Sequence, residues 1–179
     1  MNRDFDFFNN SKICITGGSG FIGSNLIRII KSISKNTTIL NLDLSQPTNL
    51  LQNTYWHKCD LNNKKNLLEV ICDFNPKYIV HLAAEATMEG KSIERDYKTN
   101  IQGVENLISA VKNLPITTSL IVASSQHVKK PGSFIFESFN EYIPLGLYGR
   151  SKLMTESLIK NADLKNNWFI VRPTLIWGP

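Results

Sequence analysis

The chain has 179 residues, 42% of them hydrophobic and 20% charged, with 20 Lys and Arg against 15 Asp and Glu. That length predicts one domain that buries its own core without a disulfide or metal staple, and no apolar run reaches the roughly 18 residues that a membrane helix needs. The net charge of +5 is dispersed rather than gathered into a stripe, with Lys64-Lys65 and Lys129-Lys130 as the tight basic pairs, which argues against nucleic acid as a partner.

In chain order, residues 12–16 (KICIT) are a β-rich run that stops at glycines. Residues 21–33 place Ile22, Leu26, Ile29, Ile30 and Ile33 at helical spacing. Strands are predicted over 38–42 and 54–59, then a helix over 63–73 closed by the Asn75-Pro76 breaker. Residues 78–82 form an apolar strand. Residues 92–112 carry Ile93, Tyr97, Ile101, Val104, Ile108 and Val111 on one face and read as a single helix. A strand over 116–123, a helix over 148–161 and a strand over 168–171 complete the series. Strands alternating with helices mean βαβ units. The fold expected is α/β, a doubly wound, mostly parallel sheet of six strands in the order 3-2-1-4-5-6, with helices on both faces. The irregular stretch 126–147 is long enough to expect a functional loop. Cys14, Cys59 and Cys72 share no metal-ligand spacing and read as small buried hydrophobes, so no metal site is expected. The opening MNRDFDFFNN has no apolar leader, which suggests a reduced, cytoplasmic setting.

Thr16-Gly17-Gly18-Ser19-Gly20-Phe21-Ile22-Gly23 follows a strand and opens a helix. Gly17 permits the tight turn, Gly20 lets the backbone approach a pyrophosphate, and Gly23 allows the helix to pack on the strand. Asp43 ends the next strand, where its carboxylate can accept hydrogen bonds from both ribose hydroxyls of an adenosine. A 2′-phosphate would be repelled there, and no Arg or Lys follows in Leu44-Ser45-Gln46, so NAD is expected rather than NADP.

Tyr148 and Lys152 stand at i and i+4 on one helical face. A free phenol has a pKa of about 10, and a nearby ammonium favours the phenolate, so Lys152 is expected to lower Tyr148. Ser124-Ser125, at a strand end, offers the hydroxyl that orients the reacting C–O group. His81, also at a strand end, reads as a structural histidine, and His127 as a solvated loop histidine.

Taken together, TGGSGFIGS, Asp43, Cys59-Asp60-Leu61, His81-Leu82-Ala83-Ala84, Asn100, Ser124-Ser125, Tyr148-Gly149-Arg150-Ser151-Lys152 and Arg172-Pro173-Thr174 resemble the extended short-chain dehydrogenase/reductase family, the NAD-dependent epimerase/dehydratase group. The resemblance implies Ser125, Tyr148 and Lys152 as catalytic residues. It implies cofactor contacts from Gly17, Ser19, Gly20, Phe21, Ile22, Gly23, Asp43, Asp60, Leu61, Leu82, Ala83, Ala84, Asn100, Lys152 and Pro173. Asp60 would reach the adenine amino group, and Lys152 would hold the nicotinamide ribose. The implied activity is reversible oxidation of a nucleotide-sugar hydroxyl, 4-epimerase-like, by a homodimer. A dehydrogenase of a non-sugar alcohol, sterol-like or flavonoid-like, and a catalytically silent NAD-binding module are the alternatives.

The pattern departs from that group in places. Gln126 and His127 replace the Asp-Glu pair of the 4,6-dehydratases, Lys129-Lys130 replaces a Tyr-Gly, and Leu175 replaces a substrate-touching Asn. Trp177-Gly178-Pro179 falls where the family's smaller C-terminal lobe begins, so residues 1–179 are expected to be an NAD-binding Rossmann domain with a partial active site, the substrate lobe absent or truncated.

Overall fold

A computed structural model describes residues 8–87, 91–129 and 142–178. The strands are β1 (Lys12–Thr16), β2 (Thr38–Asp43), β3 (Trp56–Lys58), β4 (Tyr78–His81), β5 (Ser119–Ala123) and β6 (Asn167–Val171). The helices are α1 (Phe21–Ile33), α2 (Lys64–Phe74), the single turn α3 (Ile93–Asp96), α4 (Val104–Val111) and α5 (Gly146–Lys160). One sheet runs β3-β2-β1-β4-β5-β6, and each pairing is parallel. This is the doubly wound order expected.

Strand periodicity sorts β1 between two core layers. Ile13 and Ile15 pack with Ile27, Ile30 and Ile39 beneath α1. Cys14 faces the other way, into a larger cluster with Leu67, Ile71, Leu107 and Val111 from α2 and α4. A strand covered on both faces needs a continuous apolar run, which KICIT supplies. The chain leaves β1 for β2 on one side and returns to β4 on the other. A crevice therefore opens at the carboxyl ends of these strands.

Three elements differ from expectation. β3 is only three residues long, preceded by a 3-10 turn, Leu50–Tyr55, that the Asn49 side chain caps by accepting from Leu51 N. The helix expected over 92–112 is broken. α3 ends at Tyr97, which is fully buried with its hydroxyl donating to Thr87 O at 2.5 Å. A widened π turn, Thr99–Gly103, then leads into α4. Of the expected apolar face, Tyr97, Val104, Ile108 and Val111 are buried, whereas Ile93 and Ile101 are half-exposed. Of the stretch 126–147, residues 130–141 lie outside the described residues, and its start is a short 3-10 turn, Gln126–Val128.

Cys14 and Cys59 are buried free thiols, pushed up by burial, Cys59 to about 11. Among the described residues no helix is long and apolar enough to cross a membrane, and no cluster of His, Cys, Asp or Glu could hold a metal ion.

Candidate active site

The glycine loop sits at the crevice. Gly17 has φ +73°, and a Cβ there would lie 2.6 Å from Ala83 N. Only glycine meets both demands. A Cβ on Gly23 would collide with Gly17 O and Gly18 Cα, so the start of α1 rests directly on the loop backbone. Gly20 differs: the nearest atom to a Cβ would be Gly17 O at 3.4 Å, which leaves its outer side open to the cleft. The first turn of α1 contains no acidic residue and no side-chain cap, so its amides are available to an anion.

Asp43 faces this loop. Its Oδ2 accepts from Ser19 N at 3.0 Å and its Oδ1 from Ser45 N at 2.9 Å. A carboxylate has about four lone-pair sites, so each oxygen keeps capacity for a hydroxyl. Buried Asn41 donates from Nδ2 to Ser19 Oγ at 3.1 Å and presses on Gly18. Beneath the loop, Thr16 Oγ1 lies 2.7 Å from His81 Nδ1. Burial, with the charge of Lys152, pushes His81 down to about 3, so it is a neutral structural group.

Gly17, Gly20, Asp43, Asp60, Leu61, Leu82, Ala83 and Ala84 line one cleft of about 270 Å³, together with Leu42, Leu44, Cys59, Glu85 and Thr99. Asp60 Oδ1 accepts from Asn62 N and Nδ2 at 2.9 and 3.1 Å. Phe21 and Ile22 stand at the exposed start of α1, outside that wall. Asn100 is buried and is not part of the cleft lining. Its amide donates to Glu85 O and Ser151 Oγ and accepts from Glu85 N, which pins the segment after Ala84 to α5.

The second group of residues lies beyond β5. Ser125 caps the 126–128 turn, its Oγ accepting from His127 N at 3.2 Å. Pro173 O holds the same turn by accepting from Gln126 N at 3.1 Å. Lys152 Nζ donates to Ala123 O at 2.9 Å, and burial brings the amine down to about 8. Tyr148 is pushed up by burial, opposed by the hydrogen-bonding approach of the Ser125 hydroxyl and reinforced by Tyr97. In this arrangement the Lys152 ammonium donates to a strand carbonyl, and burial sets the direction of the Tyr148 shift. His127 departs from the solvated loop residue expected. It is half-buried, with Nδ1 3.2 Å from Ser125 Oγ and its ring edge-on to Tyr148 at 5.8 Å between centroids.

Glu156 has no place in the motif reading, yet it is fully buried at the centre of this side. Oε1 accepts from Ser124 Oγ and Arg172 Nε, both at 2.7 Å, and Oε2 from Arg172 Nη2 at 2.7 Å. Burial pulls the carboxyl up, but Arg172 and Ser124 outweigh it and hold it below the ordinary value. The available signal was its position four residues after Lys152 on the same helical face.

A family model for the NAD dependent epimerase/dehydratase family matches residues 13–179. The chain is 30% identical over 169 residues to the UDP-glucose 4-epimerase of Mycoplasma genitalium, covering 88% of this chain and 49% of that protein. It is 27% identical over 181 residues to the 3 beta-hydroxysteroid dehydrogenase/Delta 5→4-isomerase of Monkeypox virus, covering 92% of this chain and 52% of that one. The solved UDP-Glc/GlcNAc 4-epimerase of Campylobacter jejuni superposes with a TM-score of 0.78 at 26% identity, over 90% of this chain and 53% of that structure. The chain spans about half the length of these relatives.

Proposed function

Because the chain belongs to the NAD dependent epimerase/dehydratase family, we propose that it is the NAD-binding portion of an enzyme that oxidises and reduces a nucleotide-sugar hydroxyl, in the manner of a 4-epimerase. The observation that carries this reading is the single cleft in which Gly17, Gly20, Asp43 and Asp60 meet. The residues there fit NAD. The open side of Gly20 and the uncapped amides of α1 suit a pyrophosphate, and Asp43 suits ribose hydroxyls but not a 2′-phosphate. Ser19, Phe21, Ile22 and Gly23 shape that loop, Leu61 and Leu82–Ala84 the apolar wall, and Asp60 the adenine end.

When bound, the nicotinamide supplies the hydride acceptor and donor. Tyr148 exchanges the proton of the substrate hydroxyl, Ser125 orients that oxygen, and Lys152 holds the ribose and contributes positive charge. Asn100 and Pro173 act from behind, the one through Glu85 and Ser151, the other through the Gln126 turn. Gln126 and His127 do not provide a carboxyl pair, so dehydration is not part of the proposal. A second copy of the chain is the proposed partner. It would dock along the apolar groove of about 630 Å³ between α4 and α5, lined by Ile101, Ile108, Leu153, Met154 and Leu158. The free cysteines suit a reducing, cytoplasmic setting.

The steroid dehydrogenase relative favours one other reading, a dehydrogenase of a non-sugar alcohol. A silent NAD-binding module is disfavoured by the retained Tyr148 and Lys152. Residues 1–179 alone should bind NAD but turn over little substrate, so incubating the full-length enzyme with NAD and UDP-hexoses is what separates the enzymatic readings. The expected result is 4-epimer formation that Tyr148→Phe abolishes. NADH accumulation with a sterol alcohol, and no change in any UDP-hexose, would establish the second reading instead.

A further inference from the structure

Resting on that reading of the site, we propose that Tyr142 is a positioning residue: through one charged cluster, its phenol clamps the two segments that carry Ser125 and Tyr148 to the side of α5. The cluster is assembled around the phenol oxygen and the Glu156 carboxylate. Tyr142 Oη accepts from Lys160 Nζ at 2.5 Å and from Arg172 Nη2 at 3.0 Å. The same two cations also donate to Glu156 Oε2, Arg172 Nη2 at 2.7 Å and Lys160 Nζ at 3.3 Å.

Arg172 carries the clamp to Ser125. Its chain neighbours hold that turn from either side: Ser124 N donates to Val171 O at 2.8 Å, and Gln126 N to Pro173 O at 3.1 Å. Ser124 Oγ adds its own bond to Glu156 Oε1 at 2.7 Å. Ser125 is therefore flanked by two residues tied to the position of Arg172.

Tyr142 carries the clamp to Tyr148. Lys160 ends α5 whereas Gly146 opens it, so residues 142–145 run back along the helix toward its first turn. Little else holds that return segment. No side chain from 142 to 148 is buried, and Ile143 and Leu145 are 57% and 43% exposed. The first turn of α5, which contains Tyr148, has no side-chain cap. Helix ends fray where their first amides lack partners. Leu145 N, donating to His127 O at 2.8 Å, closes the return segment onto the Ser125 turn.

Charge explains why a phenol stands here. Lys160 and Arg172 bring two positive charges to one buried carboxylate, which leaves donors of both cations to be met by a further acceptor. The Tyr142 oxygen supplies it. Burial would raise the phenol, but the Lys160 and Arg172 bonds outweigh burial and bring it below its ordinary value. Phenylalanine keeps the ring and loses both bonds.

Backbone amide exchange in the chain reads the clamp without ligand or turnover. In Tyr142→Phe, Leu145 and Gly149 should exchange about tenfold faster, while Ile13 and Ile15, paired on both sides within the sheet, stay unchanged. Lys160→Met, which leaves the Arg172 bond, should show a smaller rise at the same two amides. In the full-length enzyme supplied with NAD and UDP-hexoses, Tyr142→Phe should lower kcat by about tenfold with KM unchanged. Unchanged exchange at Leu145 and Gly149, an equal rise in β1, or a loss confined to KM would overturn the proposal. A full-length enzyme that converts no UDP-hexose would sink the proposed function instead, and exchange at Leu145 and Gly149 would still decide the clamp.

Discussion

The carboxyl edge of the sheet is built in two ways. Around β1 and β2, main chain rests on main chain: Gly17 against Ala83, Gly23 against Gly17, and Asp43 against two backbone amides. Around β5 and β6, side chains do the holding, and the Glu156 carboxylate gathers Ser124, Arg172 and Lys160. β6 is otherwise poorly covered, with Phe169 56% and Val171 49% exposed. The contrast is one of tolerance. Backbone contacts fix a shape that only the right small residue permits, whereas a buried charge cluster fixes a shape that fails when one partner is removed.

The largest expected effect breaks the cluster. Glu156→Ala strands the Arg172 guanidinium beside a cavity and should cost about 3–5 kcal/mol, a fall in Tm on the order of 10 °C. A loss below about 1 kcal/mol in urea unfolding would mean that β5 and α5 are held by something else. The folded carboxyl lies below its ordinary value, so its contribution is complete above the unfolded value of about 4.3 and is lost as pH falls below it. The gap between the unmodified chain and Glu156→Gln should accordingly close in acid.

Lys152 tests the same side from the basic direction. Burial holds it at about 8, so between pH 8 and 10.5 the unfolded chain binds the proton more tightly. Stability should therefore rise with pH over that window by up to about 3 kcal/mol relative to Lys152→Met, in which the rise is missing. Parallel stability curves for the two proteins would contradict the buried ammonium.

The glycine side is sharpened by two substitutions that should differ. Gly17→Ala forces a strained, crowded backbone and should cost about 1–3 kcal/mol together with cofactor affinity. Gly20→Ala meets nothing closer than 3.4 Å, so its stability should change by no more than about 0.5 kcal/mol. Its NAD affinity should still fall, because the methyl group points into the cleft. Equal behaviour of the two variants in melting and titration would remove the distinction between packing and ligand-facing glycines.

The same contrast governs what could be read from the sequence. β1, α1 and the glycine loop are local: periodicity and three glycines specify them, and their ends fall where expected. Tyr148 and Lys152 share a face because helical spacing requires it. The break at Tyr97 is not local, since its cause is a hydroxyl bond to Thr87 and an Asn100 amide drawn to Ser151, 51 residues away. His127 joins the site because Gly149 lets α5 press on its carbonyl, and Glu156 matters because Arg172 comes back along β6. Hydrophobic spacing carries no information about such partners.

The proposal that the β1–β2 side holds NAD is tested most directly by calorimetric titration of the chain with NAD and NADP, repeated on Asp43→Ala. NAD should bind more tightly than NADP, and Asp43→Ala should weaken NAD and narrow the difference, since in the proposed reading the carboxylate would hold the ribose hydroxyls and repel a 2′-phosphate. No binding of either dinucleotide, or a preference for NADP in the unmodified chain, would contradict it.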